Sequence, residues 1–113
     1  MKNLKNSVQL IGRLGKDPEV KTLTSGKSLA TFTMATSDAY YNSEGEKVED
    51  TQWHNIVAWG PKADVVSKYL VKGKEVAIEG KLIHRSYETS AGDKRYITEI
   101  NMNELLMIGS KKA

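Results

Sequence analysis

The sequence of 113 residues contains no cysteine, which removes disulfide frameworks, thiolate zinc sites and cysteine nucleophiles together. Long hydrophobic runs are also missing. The run Leu105 to Ile108 is far short of the roughly 20 residues that a bilayer span requires. Met1 to Leu10 alternates Lys and Asn with isolated apolar residues, and so has no apolar stretch of the secretory-signal kind. A soluble, cytoplasmic protein is the expectation. No repeat of 20 to 50 residues recurs, which argues against solenoids and propellers. Catalytic signatures are absent as well: there is no phosphate-cradling Gly-rich loop before a helix and no Gly-x-Ser-x-Gly elbow,. His54 and His84 stand singly in extended runs, without the close ligand spacing of a zinc site,. The reading is therefore a non-enzyme without cofactor or metal.

What remains is about one small domain, long enough to bury roughly two-thirds of its unfolded surface around a single core. We place it over residues 1–109, with 110–113 as a short basic end. The formal net charge of +3 conceals a pattern. Residues 1–37 sum to +4, residues 38–64 to −4 and residues 65–113 to +3. An acidic block thus interrupts an otherwise basic chain, and its centre, Tyr41 to Asp50, reads as a solvated hairpin loop,.

Period-two alternation dominates the rest. Ser7 to Leu14 sets Val8, Leu10, Gly12 and Leu14 on one face, and Ser28 to Thr36 does the same with Ala30, Phe32 and Met34. Glu19 to Leu23, Thr51 to Trp59, Glu75 to Tyr87 and Tyr96 to Ile108 are the other extended runs. Between Trp59 and Glu75 the period changes. Pro61 suits a first helical turn, Ala63, Val66, Tyr69 and Leu70 recur at helical spacing, and Lys72-Gly73 supplies a basic last turn and a terminal glycine,. One helix of about three turns is expected. Three strand regions, one helix and two long strands are the order of a mainly β, five-stranded Greek-key barrel of the OB type, its helix between strands 3 and 4. Gly12 and Gly80, inside strand patterns, mark its bends or bulges,.

Aromatic residues are few, 7% of the chain, yet Tyr40, Tyr41, Trp53 and Trp59 fall close together. Parity puts Trp53, Asn55, Val57 and Trp59 on one face of their strand and Gln52, His54, Ile56 and Ala58 on the other. Two readings of the tryptophan face stand: a core packed with Trp, or an exposed platform on which bases stack. Tyr87 shares parity with Lys81, Ile83 and Arg85, a mixed face poorly suited to a core. Rings flanked by cations are the equipment for single-stranded nucleic acid. The basic residues spread over strands and loop edges, and no single helix collects them as a duplex reader would,.

Four segments carry a resemblance: Asn6-Ser-Val-Gln-Leu-Ile-Gly-Arg-Leu-Gly-Lys-Asp-Pro-Glu-Val20, Phe32-Thr-Met-Ala-Thr-Ser37, Thr51-Gln-Trp-His-Asn-Ile-Val57 and Tyr69-Leu-Val-Lys-Gly-Lys-Glu-Val-Ala-Ile-Glu-Gly-Lys-Leu82. In order, over about residues 4 to 109, they resemble the bacterial single-stranded DNA-binding protein family. The resemblance implies an OB fold and a homotetramer. It further implies binding of single-stranded DNA, without strong sequence preference, in replication, recombination and repair at the nucleoid. It assigns base stacking to Tyr40, Trp53, Trp59 and Tyr87, and phosphate contacts to Lys21, Lys72, Arg85 and Arg95. Asn6, Val8 and His54 fall on subunit-interface positions. Asn55 stands where family members can carry Arg. The family's Gly/Pro/Gln-rich linker and acidic tail have no counterpart before Ala113, so tail-mediated recruitment of replication and repair partners is not expected. Two alternatives remain: a primosome-accessory or mobile-element relative, suggested by the basic terminus, and an OB-fold module whose aromatics take an oligosaccharide or a protein.

Overall fold

The computed structural model describes residues 4–108, so the basic end at 110–113 lies outside the described residues. Six strands and one helix follow in order: β1 (Val8–Leu14), β2 (Glu19–Thr22), β3 (Ser28–Tyr41), β4 (Lys47–Trp59), α1 (Pro61–Tyr69), β5 (Glu75–Glu88) and β6 (Lys94–Met107). Strand β1 pairs with β5 from Val8 to Arg13 and, at Arg13 and Leu14, also with β3. That second pairing closes β1-β5-β6-β4-β3 into a five-stranded barrel. The short β2 lies outside the closure, pairing only with the start of β3. Counted along the barrel strands, α1 sits between the third and fourth, as the sequence order implies.

Closure requires backbones to come close. A Cβ on Gly12 would overlap the carbonyl oxygen of Ala35, and one on Gly80 would overlap that of Asn101. The register of β5 against β6 shifts between Glu79 and Gly80, the local bend that a small closed barrel needs. Inside, Leu14, Ala30, Phe32, Met34, Ile56, Ala58, Val76, Ile78, Ile100 and Met102 form the core, which Ala63, Val66 and Leu70 cap from the helix side. Met34, Ile56, Val66 and Val76 are fully enclosed. Among the described residues no helix is long and apolar enough to cross a membrane.

Two elements differ from the sequence expectation. The helix ends at Tyr69, one turn earlier than Lys72-Gly73 suggested, because Leu70 leaves helical geometry (φ −102°, ψ 138°) and enters the core. Tyr69, read as part of the buried stripe, is exposed, with Lys68 Nζ 5.8 Å from its ring centre. Lys72 and Gly73 instead form the following turn, where the Gly73 amide donates to the Leu14 carbonyl at 2.9 Å. The acidic segment is also mostly strand: β3 and β4 stay paired to Tyr41↔Lys47, leaving residues 42–46 as the turn. There Asn42 Oδ1 accepts from the amides of Glu44 and Glu46, both at 2.9 Å. A polar ribbon projecting past the barrel buries neither face, so its sequence lacks the alternation of a half-buried strand.

Gly12→Ala is therefore expected to destabilise the protein by about 3 kcal/mol through overpacking against an immovable backbone. The check is the urea midpoint, which should fall while the slope of the transition stays constant.

Candidate nucleic-acid interface

Of the eight aromatic residues, only Phe32 lies in the core. Both tryptophans and all five tyrosines are exposed, Trp53 by 60%, Trp59 by 39% and Tyr87 by 54%. Strand register explains the outward rings. Ile56 and Ala58 are buried, and because side chains alternate across a strand, Trp53, Asn55 and Trp59 point the other way. Trp53 lies opposite Ala35, Asn55 opposite Thr33 and Trp59 opposite Leu29. The open question of a tryptophan core against a tryptophan platform is thus answered by burial: the rings are outside.

The same pleat side continues across the sheet. Asn55 of β4 is level with Glu99 of β6, while Ile97 faces Arg85 and Arg95 faces Tyr87 across β6 and β5. Lys21 of β2 is level with Leu29 and hence in one cross-strand row with Trp59. One face therefore gathers Trp53, Trp59, Tyr87, Lys21, Arg85 and Arg95. Trp53 and Trp59, six residues apart, are separated by about 20 Å along the strand. Between them opens a groove of about 260 Å³ lined by Lys16, Asp17, Thr31, Thr33, Asn55, Ile97 and Glu99, among others.

Individual positions differ in how they are held. Arg85 is clamped: its Nε donates to Glu99 Oε1 at 2.9 Å and its Nη2 to Glu99 Oε2 at 2.8 Å. Those hydrogen bonds, and then the charge of Glu99, hold the guanidinium pKa above its ordinary value. Lys21, Lys72 and Arg95 are exposed and form no ion pair among the described residues. The Lys72 amide donates to Asp17 Oδ1 at 2.8 Å, tying the turn after α1 to the groove edge. Tyr40 stands apart. It faces Val48 on the projecting β3–β4 ribbon, on the pleat side of Phe32 and Met34, whereas its exposed neighbour Tyr41 has the parity of Ala35, opposite Trp53.

The three interface candidates all have partners within the chain. The Asn6 side chain donates to the Leu82 carbonyl at 3.0 Å and accepts from its amide at 2.8 Å, extending the β1–β5 pairing by one step. Val8 is half-buried against the core. His54 Nε2 lies 2.9 Å from Thr36 Oγ1. Among the described residues no group of three or more His, Asp or Glu side chains could hold a metal ion.

Three features escaped the sequence. Gly15, whose amide donates to the Thr33 carbonyl at 3.0 Å, leaves room for the Trp53 indole: a Cβ there would sit 2.5 Å from Cζ3 of that ring. Glu99 partners Arg85 from the next strand. The outer side of β1-β5-β6 exposes Ile11 and Leu106 above a shallow groove of about 620 Å³. For that last feature a signal existed, since Ile11 and Leu106 are apolar at the parity opposite to Leu10 and Leu105. Gly15→Ala is expected to displace the indole of Trp53 at a stability cost of about 1 kcal/mol. Altered tryptophan emission and acrylamide quenching would report the displacement.

The comparisons with known proteins agree with this geometry. The model of the single-strand binding protein family matches residues 5–108. Single-stranded DNA-binding protein 1 of Chlorobaculum tepidum is 50% identical over 107 residues, covering 94% of this chain and 66% of the relative. The single-stranded DNA-binding protein of Bacteroides thetaiotaomicron is 44% identical over 110 residues, covering 96% and 68% respectively. The chain thus spans about two-thirds of the length of these relatives. A solved Plasmodium falciparum SSB complex with ssDNA superposes with a TM-score of 0.84 at 35% identity, covering 96% of this chain and 98% of that one. On fold, sequence and the full extent of the barrel, the chain belongs to the single-strand binding protein family.

Proposed function

We propose that this chain binds and protects single-stranded DNA, without strong sequence preference, during replication, recombination and repair at the nucleoid. The observation that carries the reading is the outward pair Trp53 and Trp59 on the face that also bears Tyr87, Arg85, Arg95 and Lys21. The likeness to an SSB complex with ssDNA supports it. Every base has a flat π-face, so a ring can stack on any of them, contributing about 1–3 kcal/mol per base without reading sequence. Lys21, Lys72, Arg85 and Arg95 supply the matching charge for the backbone. Tyr40 adds a ring on the projecting ribbon, beside the main face. Binding alone performs this function, and no bond is made or broken.

Oligomerisation belongs to the same reading. Ile11 and Leu106 stand exposed on the outer side of β1-β5-β6, a surface that a second copy would cover with its own identical face. Asn6 and Val8 shape the β1 edge next to it, and His54 completes the interface set that the family resemblance implies. One such self-complementary face closes a pair, and the homotetramer is what the family resemblance implies for two pairs together.

Two measurements check these assignments. Tryptophan emission should be quenched strongly by oligo-dT and weakly by a duplex of equal length. The affinity should fall with salt at a log–log slope of about −3, the counterion release of four phosphate contacts on a single strand. Trp53→Ala should weaken binding by about tenfold, within the stacking range for one base. No quenching by oligo-dT would rule out the stacking assignment. For the assembly, light scattering should give a tetramer mass that drops when Ile11 and Leu106 are both replaced by Glu, and a wild-type monomer at micromolar concentration would refute the interface.

A further inference from the structure

Glu99 is the only buried polar or charged residue among the described residues, 7% exposed. It lies on the very face that gathers the rings and cations. A carboxylate there opposes a polyanion, and a buried carboxylate needs a partner. Its partner, Arg85, is engaged by a two-pronged fork yet keeps a side chain 60% exposed. A guanidinium has five N–H donors. Two are used on Glu99, which leaves three.

The register shows what the fork does. The cross-strand neighbour of Arg85 is Ile97, but the side chain reaches diagonally along β6 to Glu99, which is level with Asn55 of β4. Glu99 thereby draws the cation toward the tryptophan strand, one strand spacing of about 4.8 Å away. Asn55, between Trp53 and Trp59, carries no charge of its own. A free arginine would lose rotamer freedom on meeting a phosphate, whereas a clamped one has already lost it.

Resting on the single-strand reading above, we infer that Glu99 is a positioning residue: it presets the Arg85 guanidinium between Tyr87 and the tryptophan strand as a clamp for one backbone phosphate of single-stranded DNA. The sign of a single substitution separates this role from simple electrostatics. Removing a negative charge from a DNA-binding face should tighten binding. Removing a positioning group should loosen it.

The test is an oligo-dT titration by tryptophan quenching, over a salt series, of the wild type, Glu99→Gln, Arg85→Gln and the double variant. Glu99→Gln is expected to weaken binding about fivefold at 0.1 M salt and to flatten the log–log slope by about 0.7, the share of one phosphate on a single strand. In the Arg85→Gln background the same change should leave binding unchanged or tighten it, because only a charge remains to be lost. Equal or tighter binding by Glu99→Gln with an unaltered slope overturns the inference, as does an equal loss in both backgrounds. Should Glu99→Gln fail to melt cooperatively, Arg85→Lys decides: it keeps the charge without the fork and should show the same fivefold loss, while wild-type affinity would overturn the inference. A wild-type chain that ignores oligo-dT removes the single-strand reading and this inference with it. Wild-type binding with an indifferent Glu99→Gln removes this inference alone.

Discussion

The unbroken register between β3 and β4, from Leu29↔Trp59 to Tyr41↔Lys47, is the constraint on which the rest of the molecule depends. Side chains alternate along a strand pair without a bulge, so burying Phe32, Met34, Ile56 and Ala58 commits Trp53, Asn55 and Trp59 to the opposite side,. A slip of one residue would exchange the two sets and place both indoles in a core already filled by aliphatic side chains, methionines and one phenylalanine,. The barrel thus needs no tryptophan for its interior. Two large apolar rings are held in water by the same register that builds the core, although folding alone would favour smaller or polar residues there.

Beyond the barrel, the strands continue as two projecting ribbons of opposite charge. The β3–β4 ribbon carries Asp38, Glu44, Glu46, Glu49 and Asp50 against Lys47 alone. The β5–β6 ribbon carries Lys81, Arg85, Lys94 and Arg95 against Glu88, Asp93 and Glu99, a small positive excess. A polyanion on the outer face is therefore repelled from the tip of the first ribbon and attracted to the second. Such fields act over about a Debye length, about 10 Å at 0.1 M salt. Tyr87 sits on the attractive ribbon and Tyr40 on the repulsive one, and this makes the two tyrosines unequal although each is about half exposed.

The fold was largely legible because its signals are local. Alternation in Ser28 to Thr36 and Thr51 to Trp59 revealed both strands, and in the first its inward face, while parity alone left open which face of the second was inside; Gly12 and Gly80, read as bends or bulges, lie where closure brings backbones together. Where the physics is not local, reading the sequence fell short. Leu70 ends the helix because the core takes its side chain, a decision made by tertiary packing and not by the glycine three residues later. The ribbon strands past Thr36 and before Thr51 looked like loop because nothing buries either face. The Arg85–Glu99 fork and the seat of Trp53 on Gly15 join residues 14 and 38 positions apart, and only strand pairing brings them together.

The two tryptophans, equivalent by parity, are not equivalent in the structure. Trp53 rests over Gly15 with Ala35 opposite, a floor of small residues that supports the ring from one side and leaves the rest open. Trp59 ends β4 opposite Leu29, directly before the turn into α1, and is the less exposed of the two. Stacking gains free energy from apolar area that is wet beforehand and dry afterward. Trp53, 60% exposed against 39% for Trp59, has more of that area to give. Trp59, in turn, shares a cross-strand row with the cation of Lys21. Arg85 is held instead by Glu99 of β6, level with Asn55, the residue midway between Trp53 and Val57. Under the proposed reading, a strand of alternating bases and phosphates laid along the 20 Å or so between the two indoles would meet both apolar and cationic groups on the way.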